Sequence, residues 1–450
     1  MQIRYNLAST VDIQRLYNDK EYAEEKGIIV KQQKSERVKN LENMLREVDN
    51  KDKQWREKVM SLKAEITDAK KSENNIYLLK YNKNNLNITN QKTLGLFRSV
   101  ILHNDKIISF SPPKSIDNET FLADAWDIKT RHQIQEFIEG TMINMFFNTL
   151  TQEWEIASRS SVGARCSFYQ DKKITFRTMF LEAMNRLGYE FANFNKNLCY
   201  SWILQHPDNR IVVPFTQSNI ILCKVYQCQD LVVNEISLTD WDENIFVATV
   251  PYEIPRSLNK VIDCEGLDFN EIRDKFYTQN MDYRIMGAVF INPDTGDRTK
   301  IRNPTYEHVR KLKGNSPKLQ YQYYNLRQMG AVGDFLKYYP EHKGTFDQLR
   351  KQVHNFTFNL HSNYIRCYIK KEKPLLEFPF EYRTHMYNLH QQYLNDLRPE
   401  GIAVRKHVVI EYINNIPCHH LMRSINYPLK KRKVDEIKSV VKDLQESTQQ

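Results

Sequence analysis

A change of hydrophobic rhythm near Pro304 divides this chain and limits what it can fold into. Upstream, from Leu94, short apolar runs alternate with polar reversals. FRSVILH (97–103) and KIISF (106–110) flank Asn104-Asp105, and TMINMFF (141–147) and EWEIASRSSV (153–162) flank a second turn. IVVPF (211–215) and NIILCKVY (219–226) continue the series, and a last hairpin reverses at PDTGD (293–297). Runs of this length predict strands, and Asn, Asp, Pro and Gly suit the reversals. One helix, about Phe176 to Leu187, is interposed. Downstream, TYEHVRKLK, YQYYNLRQMGAVGDFLKYY, TFDQLRKQVHNFTFNLHSNYIRCYIKK and EYRTHMYNLHQQYLNDLR carry helical spacing, broken by Pro-Leu-Leu-Glu-Phe-Pro at 374–379. The expected class is α+β, with an antiparallel-sheet core over 94–304 and an α-helical domain over 305–427.

Before the strand text, Ser35 to Lys71 is dense in charge and places Val38, Leu41, Leu45, Val48, Trp55, Val59, Leu62, Ile66 and Ala69 at heptad spacing, with Asp52 as the break. This predicts a coiled-coil helix. Its seam over 38–69 would serve a homo-oligomer or a partner helix, or would lie across the chain's own body. The Asn- and Lys-rich stretch YNKNNLNITNQK (81–92) reads as a loop. A boundary is expected there, making 1–80 a helical N-terminal region and 428–450 a basic polar tail.

At 450 residues the chain is too long for one compact core. Lys and Arg exceed Asp and Glu by 65 − 55 = 10, so a partner met by long-range steering is more readily an anion, RNA or DNA, than a cation. The polar N-terminal text MQIRYNLASTVDIQRLYNDK is unlike a secretory signal, and no apolar run approaches a membrane span. No membrane partner is expected, and the expected location is intracellular, cytoplasmic or nuclear. Seven unpatterned cysteines read as reduced thiols. Cys418-His419-His420 is adjacent in sequence and is not expected to hold a metal. PLKKRKVDE (428–436) reads as a nuclear import signal, as the opening of a last amphipathic helix, or as a direct contact to phosphates.

Four segments occur in a telling order: EFIEGTMINMFF (136–147), WEIASRSSVGA (154–164), HPDNRIVVPF (206–215) and MGAVFINPDTGDRTKIRNP (286–304). Together they resemble RNA ligases of the T-even phage type. The resemblance implies the nucleotidyltransferase fold of RNA and DNA ligases, an ATP-grasp-like antiparallel core. In that family the lysine of a Lys-x-Asp-Gly motif attacks the α-phosphorus of ATP, glutamates hold the ribose and metal, and a Lys-x-Lys neutralises the phosphates.

Laid on that pattern, Phe137 occupies the nucleophile position, and Ile203 and Met286 occupy the two acid positions. The nearest upstream lysine, Lys129, is eight residues away. The basic positions survive: Arg98, Lys114, Arg159, Lys300 and Arg302, with Glu139 standing for the aspartate before Gly140. The resemblance therefore implies a catalytically lapsed member whose phosphate-binding set is Arg98, Lys114, Glu139, Arg159, Lys300 and Arg302. Loss of a covalent nucleophile costs about a million-fold in rate, or roughly 8 kcal/mol. Two alternatives stand beside it. One is an active ligase or end-repair enzyme, which would use ATP and Mg2+. The other is a viral assembly protein with the ligase fold as scaffold. The helical text KPLLEFPFEYRTHMYNLHQQYLNDL (373–397) resembles that of degenerate RNA-ligase-like proteins in large DNA viruses of eukaryotes.

Overall fold

The computed structural model describes residues 3–34, 36–49, 60–66, 76–123, 133–149, 151–168, 174–238, 253–255, 267–276 and 281–447. Two compact units emerge, Met1–Arg310 and Lys311–Gln450. The first holds the strands: β1 (Arg4–Asn6), β2 (Ile28–Gln33), β3 (Ile76–Tyr81), β4 (Val100–His103), β5 (Lys106–Phe110), β6 (Gln133–Glu136), β7 (Thr141–Asn148), β8 (Glu153–Ser158), β9 (Ser161–Val162), β10 (Leu198–Gln205), β11 (Asn219–Gln229), β12 (Val232–Ile236), β13 (Gly287–Ile291) and β14 (Arg298–Arg302). All pairings among the described residues are antiparallel, in sheets ordered β1-β12-β11-β10-β7-β8-β9, β14-β13-β6 and β2-β3-β4-β5. The architecture is α+β.

Period-two alternation sends the seven-stranded sheet's side chains to two cores. From β10, Leu198, Tyr200, Trp202 and Leu204 pack with Met179, Phe180 and Ala183 of the helix Phe176–Arg186. That helix starts where Thr175 accepts from the Thr178 N–H. On the other face Phe146, Cys199 and Tyr226 pack with Leu78, Ile101 and Phe110 of the four-stranded sheet. A third core gathers Ile134, Ala288, Phe290 and Ile301 of the small sheet against Phe121, Phe269 and Ile272. The β4–β5 hairpin turns where the sequence places Asn104-Asp105, both at positive φ (47° and 62°), as a two-residue reversal of this hand requires.

The N-terminal region departs from the helical expectation. β1 pairs with β12, Arg4 opposite Asn234. β3 pairs with both β2 and β4. Residues 1–80 and 94–304 therefore share sheets, and the 81–92 stretch is a surface connection rather than a boundary. Of the heptad text, the helix Glu36–Asp49 and residues 60–66 are described, and Val38, Leu41, Leu62 and Ile66 bury against one another with Leu45 alongside. Arg165 also donates to Asn40 at 2.7 Å, tying this helix to its own unit. Over these described residues the seam is closed within the chain. Trp55, Val59, Ala69 and Lys129 lie outside the described residues, as does the side chain of Val48.

The second unit is helical: Leu319–Gln328, Val332–Tyr338, Lys343–Tyr364, Phe380–Gln392, Lys406–Asn415 and Cys418–Ser447. Gly330 (φ 70°) ends the first of these, splitting the expected continuous run. Two helices finish in π-helical turns, Ile365–Ile369 and Tyr393–Leu397. His385, 7% exposed, joins three helices: its Nδ1 lies 2.9 Å from the Tyr412 hydroxyl and its Nε2 2.8 Å from Ser424 Oγ. The expected polar tail is instead a continuation of Cys418–Ser447, with Pro428 inside it. Among the described residues no helix is long and apolar enough to cross a membrane.

Candidate nucleotide-phosphate site

The segment Phe137–Gly140 is where the chain leaves the three-stranded sheet (β6) and enters the seven-stranded one (β7). The passage is tight. Gly140, at φ +157°, has Ile203 Cγ2 2.4 Å and the Leu204 carbonyl oxygen 2.6 Å from where a Cβ would stand. Gly287, at φ +140°, would put a Cβ 2.0 Å from the Ile301 carbonyl oxygen. Only glycine lets the strands approach this closely. The Phe137 N–H donates to the Gly287 carbonyl at 3.0 Å, and Gln205 Nε2 donates to the Glu139 carbonyl at 3.0 Å, so both motif glycines serve one seam.

Between the two sheets at this seam lies a cavity of about 290 Å³. The structure brings Arg98, Phe137, Glu139, Ile203, Met286, Lys300 and Arg302 to its walls. Lys114 and Arg159 stand behind them. Lys114 donates to the Ser115 carbonyl at 2.8 Å, and Arg159 sits 4.7 Å over the Tyr81 ring and donates to the Arg98 carbonyl at 3.4 Å. Their charges still reach Arg98.

The Phe137 ring is not idle filling. Lys300 Nζ lies 4.7 Å from its centroid and Arg302 Cζ 5.7 Å, so the ring's negative face lies against both basic groups of β14 and favours their charged forms. Ile203, paired across β10–β7 with Met142, and Met286 complete an apolar wall. Glu139 is a correction to the expected phosphate-binding set. It is 4% exposed, and its carboxylate accepts from the backbone N–H of Val212 (3.1 and 3.2 Å) and Val213 (3.1 Å) and from the Tyr306 hydroxyl. Burial raises its pKa despite those donors. It holds the 206–215 segment rather than a ligand.

The cations divide into two groups. Lys224 pairs with Glu235, and Arg302 and Arg310 pair with Glu307. Arg98, Lys114, Arg298 and Lys300 form no ion pair among the described residues. Arg98 and Arg298 donate instead to the carbonyls of Pro112 (3.4 Å) and Pro113 (2.5 Å). Burial, then the neighbouring Arg98, Arg298, Lys114 and Arg302, push the Lys300 ammonium down to about 6. Burial and Arg298 likewise lower Arg98 to about 10. Cys223, also on the wall, is pushed up to about 12 by burial and is an inert thiol.

Against the carboxylates of Glu136 and Glu139, the lining carries Arg98, Arg298, Lys300, Arg302 and Arg310, a basic excess that suits an anion. The lining does not suit a divalent metal: the positions matched to the family's acids hold Ile203 and Met286, Glu139 is engaged internally, Glu136 stands without a second free carboxylate on the wall, and among the described residues no group of three or more His, Cys, Asp or Glu could hold an ion.

No family model matches the chain. It is similar to the RNA ligase of Rhodothermus phage RM378, 23% identical over 205 residues, which cover 40% of this chain and 46% of that protein. The chain spans about half the length of this relative. Among solved structures it is similar to an archaeal ATP-dependent RNA ligase (form 2), with TM-score 0.34 and 12% identity, covering 79% of this chain and 72% of that one. A putative ATP-dependent DNA ligase from Aquifex aeolicus gives TM-score 0.31 and 13% identity, covering 77% and 73%.

Arg298 and Tyr306 escaped the sequence reading. Arg298 was within reach of it, because residues 298, 300 and 302 share one face of a strand by alternation. Tyr306 follows the strand text and its hydrogen bond to Glu139 spans more than 160 residues, which no local pattern records.

Proposed function

We propose that this chain is a catalytically lapsed relative of the RNA ligases, of the T-even phage type, that binds the phosphate of a nucleotide or of an RNA or DNA end in the cavity between its sheets. The observation that carries this reading is Lys300 Nζ held over the Phe137 ring among Arg98, Lys114 and Arg298, with no ion pair among the described residues, a site where an arriving anion would find basic groups to protonate and pair with. An amine nucleophile is absent at position 137, and the apolar Ile203 and Met286 leave the metal without its acids. What remains can attract phosphate and orient it. The motif order and the similarity to a phage RNA ligase support the family assignment.

Intact-protein mass spectrometry after incubation with ATP and either Mg2+ or Mn2+ tests the lapse: the expected mass is unchanged. A gain of one nucleoside monophosphate would establish the enzyme reading. Binding of a 5′-phosphorylated oligonucleotide tests the site. Lys300→Ala with Arg298→Ala is expected to weaken it at least tenfold and to lower the slope of log K against log salt. An unchanged affinity and slope would refute the site.

A further inference from the structure

The helical unit bears a surface that the cavity reading does not use. Phe380 opens the helix Phe380–Gln392 and is 57% exposed. Its ring stacks on Tyr427, centroids 4.8 Å apart and planes 28° apart. These rings border a cavity of about 850 Å³ that Arg383, Lys431 and Arg432 also line, together with Glu377 and Glu381. Arg383 Cζ lies 5.9 Å from the Phe380 centroid. Lys430 is exposed beside them, and Leu429 is 61% exposed.

We propose that this surface binds single-stranded nucleic acid, with a base on the Phe380–Tyr427 stack and the adjoining phosphates on Lys431 and Arg383. The charge balance selects this ligand. Three cations against two carboxylates leave the lining at 3 − 2 = +1, too little to hold a duplex by its backbone alone. An open aromatic stack supplies what charge does not, because every unpaired base has a face to stack and a paired base has none. An acidic peptide has no general use for the rings. The surface stands on its own unit and does not depend on the cavity reading.

The test uses the full chain carrying Lys300→Met, so that the cavity does not contribute, and fluorescence anisotropy with a labelled 12-nucleotide poly-U strand and a duplex of equal length. Phe380→Ala is expected to weaken the single strand about tenfold and to leave the weaker duplex binding unchanged. Lys431→Ala is expected to weaken the strand and to lower its salt slope by about 0.7. These side chains are exposed, and an unchanged helical circular dichroism spectrum confirms folding. Three results would overturn the proposal: Phe380→Ala binding poly-U as tightly as its parent, loss of all poly-U binding with Lys300→Met alone, or a Phe380-dependent affinity for acidic peptides exceeding that for poly-U.

Discussion

Replacing Lys300 with Met should stabilise the empty protein and abolish anion binding. In the fold the ammonium's pKa falls from 10.5 to about 6, first through burial and then through four neighbouring cations. A depressed lysine pKa means that the native state favours the neutral amine, whereas the unfolded chain is protonated. The penalty is therefore absent above pH 10.5 and grows as pH falls towards 6. At pH 7 the gap is 10.5 − 7 = 3.5 units, which at 1.36 kcal/mol per unit bounds the penalty at about 5 kcal/mol. Methionine, of similar length and without charge, removes it and keeps the contact with Phe137. At about 2 °C per kcal/mol for a unit of this size, Tm should rise by several degrees. Sulfate, a dianion throughout the range, should raise the wild-type Tm by RT ln(1 + [L]/Kd) and leave the variant unmoved. Because binding must protonate the amine, isothermal titration in two buffers of different ionisation enthalpy should show uptake of about 0.9 proton per sulfate at pH 7 and about 0.5 at pH 6. Differential scanning fluorimetry from pH 6 to 9 gives the stability profile. A variant of lower Tm that retains sulfate binding, or a wild type that binds sulfate without taking up a proton, would refute the reasoning.

Three further outcomes follow from the geometry. Gly140→Ala and Gly287→Ala should each cost upwards of about 3 kcal/mol, read as a lower urea midpoint, because a Cβ would stand 2.4 Å from Ile203 Cγ2 or 2.0 Å from the Ile301 carbonyl. Glu139→Ala should cost about 2–4 kcal/mol by leaving the Val212 and Val213 amides without an acceptor, whereas Glu139→Gln retains an acceptor and should recover most of the loss; equal losses in the two variants would remove this role. Burial lowers the His385 pKa from 6.5 to about 4, so the neutral ring stabilises the helical unit above pH 6.5, and up to about 3 kcal/mol is lost as pH falls through 4. Helical circular dichroism against pH should show a steeper acid transition for wild type than for His385→Gln.

What the sequence made legible was local. The β4–β5 reversal needed two residues tolerant of positive φ, and Asn104-Asp105 announced it. The helix Phe176–Arg186 and the change to helical text were read from periodicity alone, although the units divide at Arg310 rather than Pro304. Of the expected site residues, Arg98, Phe137, Ile203, Met286, Lys300 and Arg302 converge on one cavity, which motif order conveyed without any distance. The failures were of partnership. β1, β2 and β3 were missed because IIVKQQ and RYN are weak strand text whose stability comes from partners elsewhere in the chain. Glu139 was read as a ligand contact because its amide partners lie more than seventy residues away. The heptad seam showed that an apolar stripe must be covered, but not that Leu62 and Ile66 would cover Val38 and Leu41.

The pairing of β1 with β12 has a consequence for how the chain reaches this structure. Arg4 cannot meet Asn234 until some 230 intervening residues exist, and at about 5–20 residues per second their synthesis takes roughly 10–50 s. Throughout that interval β1 waits without its neighbour, while local hairpins such as β4–β5 and β7–β8 can already close. Such distant pairings give the first unit a high contact order, so its assembly should be slow and late. The outer ladder of the large sheet therefore joins two segments made far apart in time.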